Sequence, residues 1–350
     1  MKFLIPLCYA ACLTLLLPTT GEAQITIGQP EEGNLSNSDN SFIFGAPGVR
    51  NRSRSKGVEV RYEREGGFDW AGRQGVFGES SRRVELLEQF TFKFKVPLVN
   101  QPDVKVLLGY EWESEKYYFE DREDNPNDIW AYLDERRLKN NKLSAYFTKS
   151  WDDRYYTTAR LRMSSNGDYK GLWDFDHQFR TYSAAFAFGK KISDNKEWAA
   201  GFTLSSNQAR FVAVPFFVYN ITWNDNWGLE TALPGQFYLR RNTGADQQNA
   251  FLLGATFDSK FYALHTGPDT GEFEDLGSFY LRYSGIRATL HYEHRIVPWV
   301  YAYGQAGYYI PINARFNPFE NVDQDLFTDV QGRPILRFGI FLSPPKELIK

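Results

Sequence analysis

Between Val84 and Glu115 the chain alternates apolar and polar residues almost without error, twice, on either side of a turn. From 84 to 96 the even positions read Val, Leu, Glu, Phe, Phe, Phe, Val, and the odd ones between them Glu, Leu, Gln, Thr, Lys, Lys. After "PLVNQPD", Val104, Val106, Leu108, Tyr110 and Trp112 share one face, with Lys105, Glu111 and Glu113 on the other. A period of two belongs to a strand, because successive side chains leave a pleated backbone on opposite sides. Each strand therefore carries two chemically opposed faces.

Alternation alone fits a soluble sandwich, with the rings buried and the lysines in water, as well as a barrel in a bilayer. Cost separates the two. A lysine facing lipid near the midplane costs about 2–4 kcal/mol, so in a membrane the Phe90-Phe92-Phe94 face looks outward and Lys93 and Lys95 inward. The pattern recurs along the chain. "YYTTARLRMSSN" sets Ala159, Leu161 and Met163 opposite Arg160 and Arg162, and "RTYSAAFAFGKK" sets Tyr182, Ala184, Phe186 and Phe188 opposite small residues. "ILRFGIFL" sets Leu336, Phe338, Ile340 and Leu342 against Arg337 and Gly339. Aromatics make up 17% of the chain, more than an ordinary soluble core needs, and a lipid-facing surface accounts for the excess. Tight connections ("VNQPD", "WDDR", "SDNKE", "NDN", "VPW") alternate with long polar ones at 66–82, 116–138, 165–177, 265–276 and 315–333. Short turns on one side and long loops on the other are the barrel pattern.

The fold expected is all-β: a transmembrane, antiparallel, up-and-down β-barrel of about 12–14 strands. The count is 13 if "WGLETALPGQFYLRRN" is one strand and 14 if Pro234-Gly235 turns the chain; 14 brings both termini to one side. In "SFYLRYSGIRATLHYEHRI" the apolar residues are odd at Phe279, Leu281 and Tyr283 and even at Ile286, Ala288, Leu290 and Tyr292. That phase change predicts a bulge at Ser284-Gly285.

Residues 1–23 read as a cleavable signal peptide: Lys2, an apolar core, then small residues at 21 and 23. Both cysteines fall inside it, which leaves a mature chain without disulfide or thiolate chemistry. Residues 24–55, rich in Gly, Ser, Asn and Pro, read as a periplasmic N-terminal tail or a partial plug. The barrel is assigned to 56–343 and a C-terminal tail to 344–350, where Pro344 and Pro345 stop a strand.

The inward positions supply the candidate site: Lys93, Lys95, Lys105, Glu111, Arg160, Arg162, Arg287, His291, Glu293 and Arg295 would line the lumen and set charge preference. A polar interior also accompanies any such barrel, open or blocked. The acidic stretch "ESEKYYFEDREDNPNDIWAYLDERR" lacks calcium-loop spacing and reads as a solvated surface loop, with a short helix running to Leu133 after Asn125-Pro126. His291 and Glu293 share a strand face while His294 points away, which gives two groups and no metal site. "DFDH", Asp174 to His177, lies in an outer loop, where the omptin-type barrel proteases keep Asp-His pairs. "MSSNG", Met163 to Gly167, resembles the outer-membrane phospholipase pattern His-x-Ser-Asn-Gly, but Met163 stands where the histidine belongs. Ser165 therefore lacks the base a hydroxyl nucleophile needs.

"YNITWNDNWGLETALPGQFYLRRN", "GIRATLHYEHRI" and "WVYAYGQAGYYIPINARF" together resemble the uncharacterised outer-membrane barrels of Bacteroidota. The resemblance implies a Gram-negative outer membrane and carries no catalytic residue across. One departure is that such barrels commonly end on an aromatic residue, whereas Phe341 stands short of the last residue.

The function expected first is a passive channel or uptake barrel for small solutes. The alternative is a closed barrel acting as a surface or envelope interaction protein through its long loops. A lipid hydrolase ranks last, so a non-enzyme is expected, without cofactor or metal. The partners expected are the lipid bilayer, lipopolysaccharide, small solutes and the barrel-assembly machinery. A net charge of -3 without a basic patch excludes nucleic acid.

Overall fold

The computed structural model describes residues 48–72, 81–120, 129–174, 176–206, 211–265, 278–319 and 326–343. The expected signal peptide, residues 24–47 and the tail at 344–350 lie outside the described residues. In chain order the strands are β1 (Val58–Glu65), β2 (Phe68–Gly72), β3 (Ser81–Asn100), β4 (Val104–Phe119), β5 (Leu138–Ser150), β6 (Tyr155–Gly167), β7 (Arg180–Ser193) and β8 (Lys196–Ser206). They continue as β9 (Phe211–Thr222), β10 (Trp227–Leu233), β11 (Gln236–Thr243), β12 (Asn249–Leu264), β13 (Phe279–Val297), β14 (Val300–Pro318), β15 (Leu326–Val330) and β16 (Arg333–Leu342). Among the described residues an α-helix, α1 (Ile129–Glu135), stands between β4 and β5.

The sixteen strands form one antiparallel sheet that closes on itself, because β1 pairs with both β16 and β3. β2 sits between β3 and β15, and β15 pairs with β14. So β1 with β2, and β15 with β16, are each one stave broken near Gly66-Gly67 and Gln331-Gly332, and the barrel has 14 staves. The parity question is settled by the short β10–β11 hairpin, which Pro234-Gly235 turns. Both described ends of the chain lie at one rim, the turn end; the opposite rim is the loop end.

Facing follows the cost argument. Lys93 is 3% exposed on the inner wall, while Phe90 is 38% exposed on the outer one, with Phe92 and Phe94 half-buried beside it. Leu108, Phe147, Leu161, Phe186, Phe202, Leu253, Leu290 and Ile340 continue the outer band, where lipid replaces water as the neighbour. Rings on the inner wall lie flat against glycine on the next strand. A Cβ at Gly189 would stand 2.1 Å from Cζ of Tyr156, its cross-strand partner.

The rim at the loop end is uneven. β10 and β11 stop low, while β12 runs on from Phe257 to Leu264 and makes a parallel contact with the top of β6, at Ala263 and Gly167. The Asp168 N–H donates to the Ala263 carbonyl at 3.2 Å there, and a Cβ on residue 167 would meet that carbonyl at 2.4 Å. The glycine of "MSSNG" is needed for this crossing.

One sequence reading needs correction. The β13–β14 register does shift at Ser284/Gly285, but the extra residue is Ile312 on β14, and β12–β13 pairing runs through unbroken. Facing on β13 never switches, so Phe279, Leu281 and Tyr283 lie on the inner wall in the same column as Arg287 and His291. What changes is the interior itself. It is charged in its lower part and apolar beneath the loop end.

Candidate functional site in the barrel interior

The charged inner face is visible already in "VEVRYERE", where Glu59, Arg61, Glu63 and Glu65 occupy every odd position of β1. A buried carboxylate is tolerable only when a cation and hydrogen bonds compensate it. Here nearly every charge is shared. Lys56 pairs with Glu59 at 3.0 Å, Lys93 reaches Glu59 at 3.6 Å and Glu111 at 3.4 Å, and Lys142 reaches Glu111 at 3.0 Å and Glu113 at 3.8 Å. Lys260 bridges Glu113 at 2.9 Å and Glu115. Further along, Arg287 holds Asp258 at 2.8 Å, Glu65 at 2.9 Å and Glu63, Arg337 also binds Glu63, and Arg333 binds Glu65. This chain of pairs ties β1, β3, β4, β5, β12, β13 and β16 together across the lumen.

Of the ten residues the sequence put in the lumen, Lys93, Glu111, Arg160, Arg162, Arg287, His291 and Glu293 are buried on the inner wall. His291 and Glu293 are joined at 2.9 Å. His294 turns to Asn249, 2.8 Å from its ring nitrogen. Lys95, Lys105 and Arg295 are half-buried near the turn end, with Arg295 4.0 Å from Asp246. Lys142, Lys260, Arg333, Arg337, Glu63 and Glu65 are equally placed and were passed over. Their signal was the same odd-or-even column.

At the loop end the interior is filled by rings. Phe68, Trp70, Tyr117, Phe279, Tyr283, Tyr309 and Phe316 line the wall, and α1 drops Trp130 and Leu133 among them. The 116–138 stretch is thus no merely solvated loop, since this helix buries Trp130, Tyr132 and Leu133 in the mouth. It is latched at its side. The Tyr132 hydroxyl lies against Asp168 and the His265 carbonyl, the Phe119 N–H donates to Asp134 at 3.1 Å, and Lys116 donates to the Asp134 carbonyl.

At the turn end, residues 50–57 cross the mouth. The Arg50 N–H donates to the Asp194 carbonyl at 2.8 Å, and the Arg50 side chain meets Asp225 at 3.0 Å. Asn242 donates to the Asn51 carbonyl at 2.7 Å, Arg52 pairs with Glu197 at 3.2 Å, and the Ser53 N–H donates to Glu230 at 2.9 Å. By Gly57, whose N–H donates to the Leu342 carbonyl at 2.7 Å, the chain has reached the opposite wall and begins β1.

Neither hydrolytic resemblance finds a constellation. Ser165 is fully buried and donates its hydroxyl to the Asp174 carbonyl at 2.6 Å. Met163 lines an outer-surface groove of about 680 Å³ with Leu108, Leu143, Leu161, Tyr182 and Leu204, on the bilayer side of the wall. His177 meets Asp176 at 2.8 Å with both groups exposed. Among the described residues, no three His, Cys, Asp or Glu side chains gather as a metal would require.

Closed staves, a lipid-facing girdle and an ion-paired lumen define a membrane-spanning β-barrel obstructed at both mouths. No family model matches the chain, and no curated protein matches it. Among solved structures it is similar to a FadL homologue of Pseudomonas aeruginosa, at 7% identity over 81% of this chain and 89% of that one, with a TM-score of 0.39. It is also similar to the toluene transporter TodX of Pseudomonas putida, at 6% identity over 82% and 89%, with a TM-score of 0.36. A third is the β domain of the Bordetella autotransporter BrkA, at 9% identity over 82% and 99%, with a TM-score of 0.32.

Proposed function

We propose that the chain is an outer-membrane barrel for passive uptake of small solutes, resting with both mouths closed. The observation that carries this reading is the nature of the closures. Eight staves enclose an interior that their own side chains can fill, whereas 14 enclose more. Here α1 occupies one mouth and residues 50–57 cross the other, and neither belongs to the wall. Parts outside the wall can leave without breaking the barrel. The loop-end mouth, lined by Trp70, Tyr117, Trp130 and Phe316, suits an apolar or aromatic solute.

In this reading the turn end faces the periplasm, the loop end faces outward through a lipopolysaccharide leaflet, and residues 1–23 direct export before the assembly machinery inserts the barrel. Residues 24–55 then act as a partial plug, held through the contacts of Arg50, Asn51, Arg52 and Ser53.

One observation favours the alternative of a closed surface protein: the ion-pair chain itself spans the lumen. Planar-bilayer conductance of the refolded protein separates the two. Uptake predicts low conductance for the full chain and steady channels once residues 48–55 are deleted and Trp130 is replaced by Ala. If that variant, still heat-modifiable on gels, stays silent, the barrel is closed by its wall and the uptake reading fails.

A further inference from the structure

Three of the tight turns carry exposed Trp151, Trp223 and Trp299, the ring belt that marks one membrane interface. β7 measures the distance to the other. Its outward face reads Arg180, Tyr182, Ala184, Phe186, Phe188 and Lys190, an apolar run between two cations. The ten steps from Arg180 to Lys190, at about 3.3 Å each and a strand tilt of about 40°, rise about 25 Å, the height of a barrel's apolar band. Lys190 therefore stands at the turn-end interface and Arg180 at the loop-end one.

The outer-surface groove lies directly below Arg180. Its floor is Ala184, set between Leu161 and Leu204 on the neighbouring strands, with Tyr182 and Ser206 in the row above. Phe186 and Phe202, ring centroids 6.0 Å apart, fill the row below and close its lower edge. At about 680 Å³ the groove has the size of a ligand site, and none of its lining residues is an acid.

Polarity runs one way along it. The lower part is aliphatic, while the exposed side chains of Tyr182 and Ser206 bring hydroxyls to the upper end, beneath Arg180. Among the described residues no ion pair holds Arg180, and its Nε is buried without a hydrogen-bond partner. The acids of the preceding loop are engaged within that loop. Asp174 accepts from the Asp176 N–H at 2.8 Å, and Asp176 accepts from the Gln178 N–H at 3.1 Å and meets His177 at 2.8 Å. A groove that is apolar toward the midplane and cationic at the interface matches an acyl chain capped by an anion. The guanidinium fork suits a phosphate in particular.

We propose that this groove, with Arg180 at its head, seats one phosphate-bearing acylated lipid, the lipid A part of lipopolysaccharide. The site rests on the orientation proposed above, with the loop end in that leaflet, and is independent of whether the barrel conducts.

Native mass spectrometry of the full-length refolded protein, released from neutral detergent in the presence of lipid A, tests it. One saturable lipid A per chain is expected, with affinity at least tenfold lower for a synthetic lipid A lacking its phosphates. Arg180→Gln removes the cation, and Ala184→Trp fills the groove from the lipid face without touching the lumen. Each is expected to lower lipid A affinity at least tenfold, whereas Lys190→Gln holds it; heat-modifiable migration shows that each variant is folded. Absence of saturable lipid A on the unmodified protein overturns the proposal, as does equal binding by folded Arg180→Gln or of the phosphate-free lipid. So does phosphatidylglycerol bound as tightly as lipid A, which would make the groove a seat for any anionic lipid. None of these outcomes bears on the conductance experiment, so the two readings fail separately.

Discussion

Trp130 of α1 lies over Trp70 of the barrel wall, ring centroids 5.0 Å apart and planes inclined at 55°. Trp70 is fixed in turn by its indole N–H, which donates to Thr328 Oγ1 at 2.9 Å, and by Phe316 stacked at 6.1 Å. The wall ring is therefore fixed by the barrel, while the helix ring belongs to α1, which is no part of the wall. Trp130→Ala is expected to cost the closure about 3–5 kcal/mol and leave the strands paired. Limited proteolysis in 116–138 should quicken by orders of magnitude while heat-modifiable migration is unchanged. Loss of both together would mean that the helix belongs to the barrel's own stability.

Glu63 takes both Arg287 and Arg337, and all three are buried. Removing the shared carboxylate strands Arg337, whose other partner is the neutral Gln305 at 3.0 Å, and leaves Arg287 to Asp258 and Glu65, so Glu63→Leu should destabilise by about 3–5 kcal/mol. The double variant Glu63→Leu with Arg337→Met should cost less than the single one, because one orphaned charge leaves with its partner. Urea unfolding in lipid vesicles, followed by tryptophan fluorescence, measures both. A double variant worse than the single would contradict a desolvation origin.

How far the sequence carried this fold is clear from where it misled. Period-two alternation placed Lys93, Arg160 and Arg287 on the inner wall and Phe90 and Leu161 on the outer one, because water and lipid impose opposite demands at every step. The same alternation put Phe279, Leu281 and Tyr283 outside, on the assumption that apolar means lipid-facing along a whole strand. That assumption fails wherever the lumen is dry. α1 dries it at the loop end; the short helix was read from Asn125-Pro126, but seven residues carry too little period to show that one face is buried. The crossing segment 50–57 was legible only as far as residue 55, and only as a tail or a partial plug, for a related reason: its contacts are backbone groups and single side chains meeting partners far away in sequence.

Gly189 and Tyr156 make a second coupled pair. Adding a methyl at 189 places it 2.1 Å from the ring of a fully buried tyrosine that has nowhere to swing. Gly189→Ala is expected to cost about 1–3 kcal/mol as overpacking. In a Tyr156→Ala background the same change should cost nearly nothing, a coupling that a double-mutant cycle reads directly. Additive losses would show that the ring does not rest on the glycine.

Asp152 turns the chain between β5 and β6, its carboxylate accepting from the N–H groups of Arg154 at 2.7 Å and Tyr155 at 2.6 Å. Those two bonds, that of Tyr155 first, hold its carboxyl below the usual aspartate range. With the folded value beneath the unfolded one, the contribution is complete above the unfolded pKa and disappears as pH falls through the folded one. Asn224 makes the same turn before β10 with a neutral oxygen, accepting from the N–H groups of Asn226 at 3.0 Å and Trp227 at 2.9 Å. Asp152→Asn should therefore keep the turn at neutral pH and flatten the acid limb of the stability curve, whereas Asp152→Ala should weaken the turn at both. Urea midpoints at neutral and acid pH distinguish the variants. An Asn variant as acid-sensitive as the parent would locate that sensitivity elsewhere on the barrel.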